Sequence, residues 1–452
     1  MIKFDTGTSK NEKQFQESLA PEELSALNFY LEANEREPPL VFEGRHDVRN
    51  AIRKRIAYVR EKDKTVCSTF VVQGAPGAGK TSLLNQIEID VDQDNKEDVV
   101  VVSLESDDFN DPVSFLQGFL RHKDTNFEQL FLSFGKKGQR GVDFKFFKAG
   151  GELEIILPSL ADRVRSNPAG LWGTIRGCLT PGVNPVFLLL VDESQNIFPN
   201  ISNKNTILTR LHSARNIAGL KIIPVFAGLS DTGKRLEQLG ITRRSRYDFM
   251  LSLFTPEEGR QVCISTIQQL GLEKLFRPNQ INHIAHQLDR ASDGWPRHLH
   301  HYLQTFVKNV RNSCKRNKDH LDLEEVLDDG HDIRIGYYQM RLQVTGQAEY
   351  DEQLDQIAKD HQAPGETITY KELSGYFSKK DVDSNKSVKE IIDTYVHNGI
   401  LDELLDGSYM FPIPSLQTFL ANDRDVDRTK ELLRGRVRQE TGREKEIPQT
   451  DT

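Results

Sequence analysis

The strongest indication of the fold is the sequence STFVVQGAPGAGKTSLLNQIEI, from Ser68 to Ile89. Its first part, Ser68 to Gln73, predicts a buried strand, and a helix is predicted from Thr81 to Ile89. Between them lies the pattern G-x-x-x-x-G-K-[ST], in which small residues let backbone N–H groups surround phosphate oxygens at a helix N-terminus. The predicted phosphate-binding loop comprises Gly74, Ala75, Pro76, Gly77, Ala78, Gly79, Lys80, Thr81 and Ser82.

Four residues of this loop and of a second motif have predicted roles in binding phosphate, binding Mg²⁺ or activating water. Lys80 is placed to reach the β- and γ-phosphates of a nucleotide, and the Thr81 hydroxyl is placed to bind Mg²⁺. The apolar run LLLV ends in Asp192 and Glu193. Asp192 is suited to hold Mg²⁺ through water, and Glu193 is suited to polarise an attacking water. Acidic residues often follow a buried strand, so it is the pairing with the loop that indicates ATP hydrolysis.

The rest of the first half predicts an α/β fold. Continuous apolar runs occur at Val99 to Leu104, Val186 to Val191 and Lys221 to Ala227, with helical patterns between them. Such runs are typical of a parallel sheet that is covered on both faces. From Thr255 onward the pattern is helical, and Thr255 with Glu258 forms the sequence signature of a capping box.

Composition excludes several classes of protein. The chain has 452 residues, 37% hydrophobic and 28% charged, which rules out wholesale disorder. Its net charge of −8 argues against a molecule that binds nucleic acid over its whole surface. The four cysteines lie far apart, which argues against a zinc ribbon or a disulfide framework. Neither a signal peptide nor an apolar run of about 20 residues is visible. We therefore expect a cytoplasmic protein without a membrane segment.

These motifs together resemble those of AAA+ P-loop ATPases of the origin-recognition and STAND-like group, over about residues 38 to 320. The resemblance implies binding of Mg²⁺ and ATP between a core and a helical lid. Val41-Phe-Glu-Gly44-Arg45 is similar to the entry segment that lies against adenine in this group. Ile222 to Ser230 resembles the sensor-1 strand, which implies a catalytic role for Ser230, with Asp231 as the alternative.

Two arginine motifs extend the resemblance. The stretch RRSRYDFMLSL, which begins at Arg243, is similar to a Ser-Arg box and implies Arg246 as an arginine finger acting on a neighbouring subunit. Arg243 and Arg244 are the alternatives, and a solvated basic face is the simpler interpretation of the run. DGWPR, which ends at Arg297, resembles a sensor-2 box and implies that Arg297 binds nucleotide from the lid.

The C-terminal part resembles a winged-helix domain. Helices are predicted near Glu349 to Gln362, after a Thr369 cap and over Val388 to His397, followed by a hairpin with an Asp-Gly turn. The segment that corresponds to a recognition helix carries Lys386 and Lys389 but also Glu390 and Asp393. This charge balance favours a protein-docking or autoinhibitory unit over a DNA reader.

Two further clusters have simple interpretations. His298 and His301 lie on the same face of a predicted lid helix. We expect them to be ordinary lid residues rather than metal ligands. Gly135 to Ile156 predicts a hairpin in which Phe146 lies between Lys145 and Lys148. A nucleic-acid contact there is one interpretation, and a sheet face with a solvated rim is the other.

The predicted organisation and function combine these patterns. The domains are a leader (1–37), an AAA+ core (38–254), a helical lid (255–320), a linker (321–347), a winged-helix-like unit (348–420) and a frayed charged tail (421–452). We expect an oligomeric ATPase that switches the assembly or activity of a separate effector protein, a role that the resemblance associates with anti-phage defence. The alternative is a DNA-binding loader or transposition helper, and a scaffold that rarely hydrolyses ATP is a third class.

Overall fold

A computed structural model describes most of the chain. The described residues are 1–4, 19–32, 40–61, 68–94, 98–120, 145–149, 152–156, 162, 164–165, 167, 170–179, 184–200, 207–208, 219–363, 365–378, 387–404 and 406–444. Within these ranges, no helix is both long enough and apolar enough to cross a membrane.

The described strands and α-helices are labelled in chain order. The strands are β1 Ile2–Lys3, β2 Thr69–Gln73, β3 Val99–Leu104, β4 Lys145–Ala149, β5 Glu152–Ile156, β6 Val186–Val191, β7 Lys221–Gly228, β8 Arg246–Met250, β9 His320–Leu321, β10 Asp402–Glu403 and β11 Tyr409–Met410. The helices are α1 Pro21–Glu32, α2 His46–Glu61, α3 Lys80–Gln93, α4 Pro112–Leu120, α5 Leu171–Cys178, α6 Thr232–Gln238, α7 Pro256–Gln269, α8 Pro278–Ser292, α9 Pro296–Lys315, α10 Leu323–Thr345, α11 Asp351–Asp360, α12 Tyr370–Phe377, α13 Val388–His397, α14 Pro414–Ala421 and α15 Val426–Glu444.

The chain divides into two compact units. The sheet unit comprises residues 45–74 and 83–251. The helical unit comprises residues 1–44, 75–82 and 252–452. The predicted α/β fold class is confirmed by the sheet unit.

A five-stranded sheet forms the centre of the sheet unit. Its strand order is β3-β6-β7-β2-β8, and all neighbouring pairs are parallel. Every residue of β2, β6 and β7 is buried, as the continuous apolar runs predict for strands covered on both faces. The order places β7 between β6 and β2, so the residues that follow these three strands meet at one edge of the sheet.

Helices on the sheet unit bury one face each. Helix α2 buries Val48, Ile52, Ile56 and Val59, which are the apolar positions of its sequence pattern. The β4–β5 hairpin is antiparallel, as predicted, with Phe146 opposite Ile155.

The lid helices α7, α8 and α9 share a hydrophobic core in the helical unit. The capping box at Thr255 is formed as predicted, with the Thr255 hydroxyl accepting from the Glu258 backbone N–H. Residues of the N-terminal segment also enter this core: Phe4, Leu27 and Tyr30 are buried against it, and β1 pairs with β9. The described residues of the predicted leader are therefore an integral part of the helical lid.

The predicted linker, residues 321–347, consists largely of one helix. Residues 323–345 form the long helix α10, which is capped at its start by the Asp322 side chain. The acidic stretch at its beginning suits a helix N-terminus, and Val326, Ile335 and Tyr338 are buried. Inside α10, Arg334 is fully buried, its Nε donating to the Tyr338 hydroxyl at 2.7 Å. Arg334 also forms an ion pair with Asp293.

The prediction of a frayed tail is wrong for residues 426–444, which form helix α15. Helix α15 begins at Val426, buries Thr429 and Leu433, and ion pairs with α10 through Arg434 and Asp328 at 2.7 Å. Lys430 pairs with Asp332 in the same way. High charge along this helix thus reflects pairing with the acidic side of α10 rather than a lack of structure.

The C-terminal elements follow the predicted order. Helices α11, α12 and α13 are followed by the β10–β11 hairpin, and Thr369 caps α12 as expected. Helix α14 follows directly, and its Ser415 hydroxyl bonds to the Tyr338 hydroxyl of α10. That this group of elements functions as a winged helix stays a prediction.

Candidate nucleotide site

The loop after β2 has the backbone of a phosphate cradle. The Gly74 N–H donates to the Gly228 carbonyl at 3.2 Å, which fixes the start of the loop at the carboxyl edge of the sheet. Further along, Gly77 and Gly79 have φ values of +93° and +91°, a region that L side chains rarely adopt. Backbone of this kind is typical of loops whose N–H groups bind anions.

The start of α9 packs directly on this loop. The Arg297 backbone N–H donates to the Gly77 carbonyl at 3.2 Å. A Cβ on Gly77 would lie 2.9 Å from Arg297 Cβ and 3.0 Å from Trp295 Nε1. Only glycine therefore leaves room for the start of α9 at this point. The Arg297 backbone lies against the loop, and its role in nucleotide binding stays a prediction.

The reactive end of the loop is marked by Lys80 and Thr81 at the start of α3. Lys80 Nζ donates to the Ala75 carbonyl at 3.1 Å, so its ammonium lies over the loop. Thr81 is exposed, and Ser82 follows it in the first turn. A cation and hydroxyl groups at a helix N-terminus are the groups that bind phosphate and Mg²⁺.

Asp192 and Glu193 follow β6 at the carboxyl edge of the sheet. The Glu193 N–H donates to Asp192 Oδ1 at 2.8 Å, and Asn196 Nδ2 donates to Glu193 Oε2 at 3.1 Å. Glu193 adopts a φ of +45°, which costs energy for a residue with a side chain. The strained turn and the Asn196 bond fix the direction of this exposed carboxylate. No motif in the sequence points to Asn196 as a partner of this carboxylate.

Ser230 and Asp231 follow the adjacent strand β7, at the same edge as Asp192. Both residues are buried, with exposed fractions of 4% and 7%. Asp231 Oδ2 accepts from Arg235 Nε at 2.5 Å, whereas its Oδ1 has no hydrogen-bond partner among the described residues. Gln73 Oε1 accepts from the Gly233 N–H at 2.9 Å and fixes the segment that follows. The choice between Ser230 and Asp231 as the sensor stays open.

The structure contradicts Arg246 as an exposed arginine finger. Its side chain is fully buried at the start of β8. Its Nε donates to Asp248 Oδ1 at 2.8 Å, and its Nη1 donates to the carbonyls of Gly233 at 2.6 Å and Ile241 at 3.0 Å. A guanidinium held in this way cannot extend into another subunit. Arg246 is the first residue of the edge strand β8, and it is the buried residue of that strand.

The neighbouring arginines are better placed for an exposed role. Arg243 and Arg244 lie in a short 3-10 turn before β8, and both are exposed. The Arg243 side chain is 59% exposed and lies 3.5 Å from Glu237 Oε2. Both alternatives that the sequence left open for the finger therefore remain.

The predicted adenine-side segment begins α2. In the helical unit, a Cβ on Gly44 would lie 2.5 Å from Glu258 Oε1, so the segment fits closely against α7. In the sheet unit, the Arg45 carbonyl accepts from the Arg49 N–H at 3.2 Å in the first turn of α2. Neither contact tests the predicted role of Gly44 and Arg45 in nucleotide binding.

The histidines of α9 occupy different environments. His298 is fully buried, and burial lowers its pKa well below the usual range. Burial and the nearby Arg297 charge lower the pKa of His301 to about 4. Among the described residues, no group of three or more His, Cys, Asp or Glu side chains is arranged to hold a metal ion.

The face of α13 that sequence analysis compared with a recognition helix has mixed charge. Lys389, Glu390, Asp393 and His397 are exposed, and Lys386 lies outside the described residues. Ile391, Ile392 and Tyr395 are buried on the opposite face. The described surface of this helix thus lacks the concentration of cations that DNA readers present in the groove.

Comparison with known proteins agrees with this architecture. No protein-family model and no curated protein matches the sequence. Among solved structures, the chain is similar to the Walker-type ATPase PABY2304 of Pyrococcus abyssi, with 13% identity, a TM-score of 0.51, and coverage of 86% of this chain and 99% of that one. It is also similar to the ORC2 protein of Aeropyrum pernix in ADPNP-ADP complexes, with 12% identity, a TM-score of 0.52, and coverage of 92% and 98%. The chain therefore shares with these two structures an α/β fold, with its parallel sheet and its Gly-rich loop between β2 and α3.

Proposed function

We propose that this protein is an ATPase that binds ATP at the phosphate loop and hydrolyses it to ADP and phosphate. The observation that carries the proposal is the loop itself. Left-handed backbone at Gly77 and Gly79 precedes Lys80 at the start of α3, and the Arg297 backbone bonds to the loop. This combination binds phosphate chains because N–H groups, a helix N-terminus and an ammonium all favour anions.

Each predicted residue has a defined part in the proposed reaction. The loop N–H groups and Lys80 would hold the phosphates, and Arg297 would bind the nucleotide from the lid. Glu193 would orient the attacking water and accept its proton, because its carboxylate direction is fixed by Asn196. Ser230 or Asp231 would hold the attacked phosphate in position.

The Thr81 hydroxyl and the Asp192 carboxylate would each suit Mg²⁺, which prefers oxygen ligands of this kind together with water. When bound, the ion would neutralise charge that develops on the phosphate oxygens.

We further propose that the protein acts as a homo-oligomer. Arg243 or Arg244, exposed beside β8, would then serve as the arginine finger of the neighbouring subunit. In this proposal, hydrolysis switches the assembly or activity of a separate effector protein, and anti-phage defence is one setting for such a switch. The mixed charge on α13 supports a protein partner for the C-terminal elements over DNA.

The Glu193→Gln variant tests the hydrolytic proposal. The amide keeps the shape of the side chain but cannot accept a proton, so this variant should bind ATP and retain it unhydrolysed. Glu352→Gln, which changes an exposed carboxylate on α11, is the matched control and should hydrolyse ATP as the wild type does. Rapid gel filtration after incubation with labelled ATP measures the retained nucleotide. Wild-type turnover by Glu193→Gln would contradict the assigned role.

A further inference from the structure

Helix α10 brings two residues that no motif identifies to the side of the phosphate loop. The Tyr337 hydroxyl donates to the Pro76 carbonyl at 3.2 Å. The Arg297 guanidinium carbon lies 4.2 Å from the centroid of the Tyr337 ring, and that of Arg341 lies 5.9 Å from it. Two guanidinium groups therefore share one aromatic ring that is itself bonded to the loop.

The turn at Gly399 fixes the position of Arg341 more closely. A Cβ on Gly399 would lie 2.2 Å from Pro76 Cδ and 3.1 Å from Arg341 Nη2. Pro76 and the end of the Arg341 side chain therefore approach the same point. Arg341 is a loop neighbour although it lies far from the loop in sequence.

Among the residues that the structure describes, the Arg341 guanidinium has no anionic partner. Its Nε is buried without a hydrogen-bond partner, and among the described residues no carboxylate forms an ion pair with it. Burial, together with the charge of Arg297, lowers the pKa of Arg341. Two partly desolvated cations this close are favourable only when an anion lies between or beside them.

The loop end beside Arg341 is the end that serves the terminal phosphates. Lys80 Nζ lies 3.1 Å from the Ala75 carbonyl, and the lysine of such a loop reaches the β- and γ-phosphates. Ala75 and Pro76 therefore border the β/γ end of the cradle. A guanidinium next to Pro76 can reach the outermost phosphate with a charge-assisted hydrogen bond.

We propose that Arg341 binds the terminal phosphate of ATP held by the loop and so distinguishes ATP from ADP. The proposal rests on ATP binding at this loop. Arg341 would act in addition to Arg297, and it would come from the helix that connects the lid to the C-terminal elements rather than from the lid itself. Because Arg341 also contacts the Gly399 turn, it is placed to report the terminal phosphate to that turn.

Calorimetry with the non-hydrolysable analogue ADPNP and with ADP tests the proposal. Arg341→Met should weaken ADPNP binding by about 10- to 100-fold, the equivalent of one charge-assisted hydrogen bond. ADP binding should change by less than about 3-fold, because ADP lacks the phosphate that Arg341 contacts. Arg316→Met, which removes an exposed charge just after α9, is the matched control and should leave both affinities unchanged.

Two further variants keep the test decisive if Arg341→Met folds poorly. Arg341→Gln should lose the ADPNP preference as Arg341→Met does, and Arg341→Lys should retain part of it because it keeps a cation. Equal weakening of ADPNP and ADP, or no change in either, overturns the proposal while the wild type still binds both. If the wild type binds neither nucleotide, the proposed function fails and this proposal fails with it.

Discussion

The Arg246→Met variant should have a much lower free energy of unfolding than the wild type, because this arginine is a structural residue of the sheet. Its guanidinium is fully buried and bonds to Asp248 and to the carbonyls of Gly233 and Ile241. Methionine would leave Asp248, whose side chain is 17% exposed, without its partner, and two carbonyls without donors. Removing one partner of a buried ion pair costs about 3–5 kcal/mol in the free energy of unfolding.

Urea denaturation followed by circular dichroism measures this loss. Arg244→Met is the matched control, since it removes an exposed charge and should change stability by less than about 0.5 kcal/mol. Replacing both Arg246 and Asp248 with apolar residues should recover part of the loss, because no charge is then left buried. The reasoning is refuted if Arg246→Met loses less than about 1 kcal/mol of stability yet abolishes ATP hydrolysis, as loss of an exposed finger would.

Two further predictions concern the helical unit. Gly399→Ala should weaken nucleotide binding, because the added Cβ would lie 2.2 Å from Pro76 Cδ and the φ of this residue is +63°. Gly407 has a similar φ of +83° but no atom within 4 Å of an added Cβ, so Gly407→Ala is the control and should bind nucleotide normally in calorimetry. Equal affinities in the two variants would contradict the contact between Gly399 and Pro76. Burial raises the pKa of Asp289 to about 7, so the native state holds a proton that the unfolded chain releases, and stability should fall as the pH rises from about 4 to 7. Urea midpoints across this range should fall less for Asp289→Asn, and an identical slope in both proteins would disprove the raised pKa.

The sheet and its motifs were predictable because their physics is local. Apolar runs such as Val186–Val191 predict strands covered on both faces. The glycines of the phosphate loop indicate a backbone with positive φ, which only glycine adopts easily. Asp192 and Ser230 could be assigned to one edge because parallel strands end at the same side.

The remaining features depend on contacts between distant parts of the chain. The acidic start of α10 and the charged helix α15 each look like solvated segments, and the ion pair of Asp328 with Arg434 becomes visible only when both helices are placed. Arg246 resembles an exposed finger in sequence, although its burial follows from a strand position. Arg341 carries no motif, and its place beside Pro76 arises from packing of α10 on the loop.

The most direct test of the central claim is the affinity of the Lys80→Ala variant for ATP. Lys80 supplies the ammonium of the phosphate loop, and its Nζ lies over the loop at 3.1 Å from the Ala75 carbonyl. Isothermal titration with Mg·ATP should show tight binding by the wild type and loss of at least about 100-fold in affinity for Lys80→Ala, with an unchanged thermal melt in the absence of nucleotide. Wild-type affinity in Lys80→Ala would contradict the assignment of this loop as the nucleotide site.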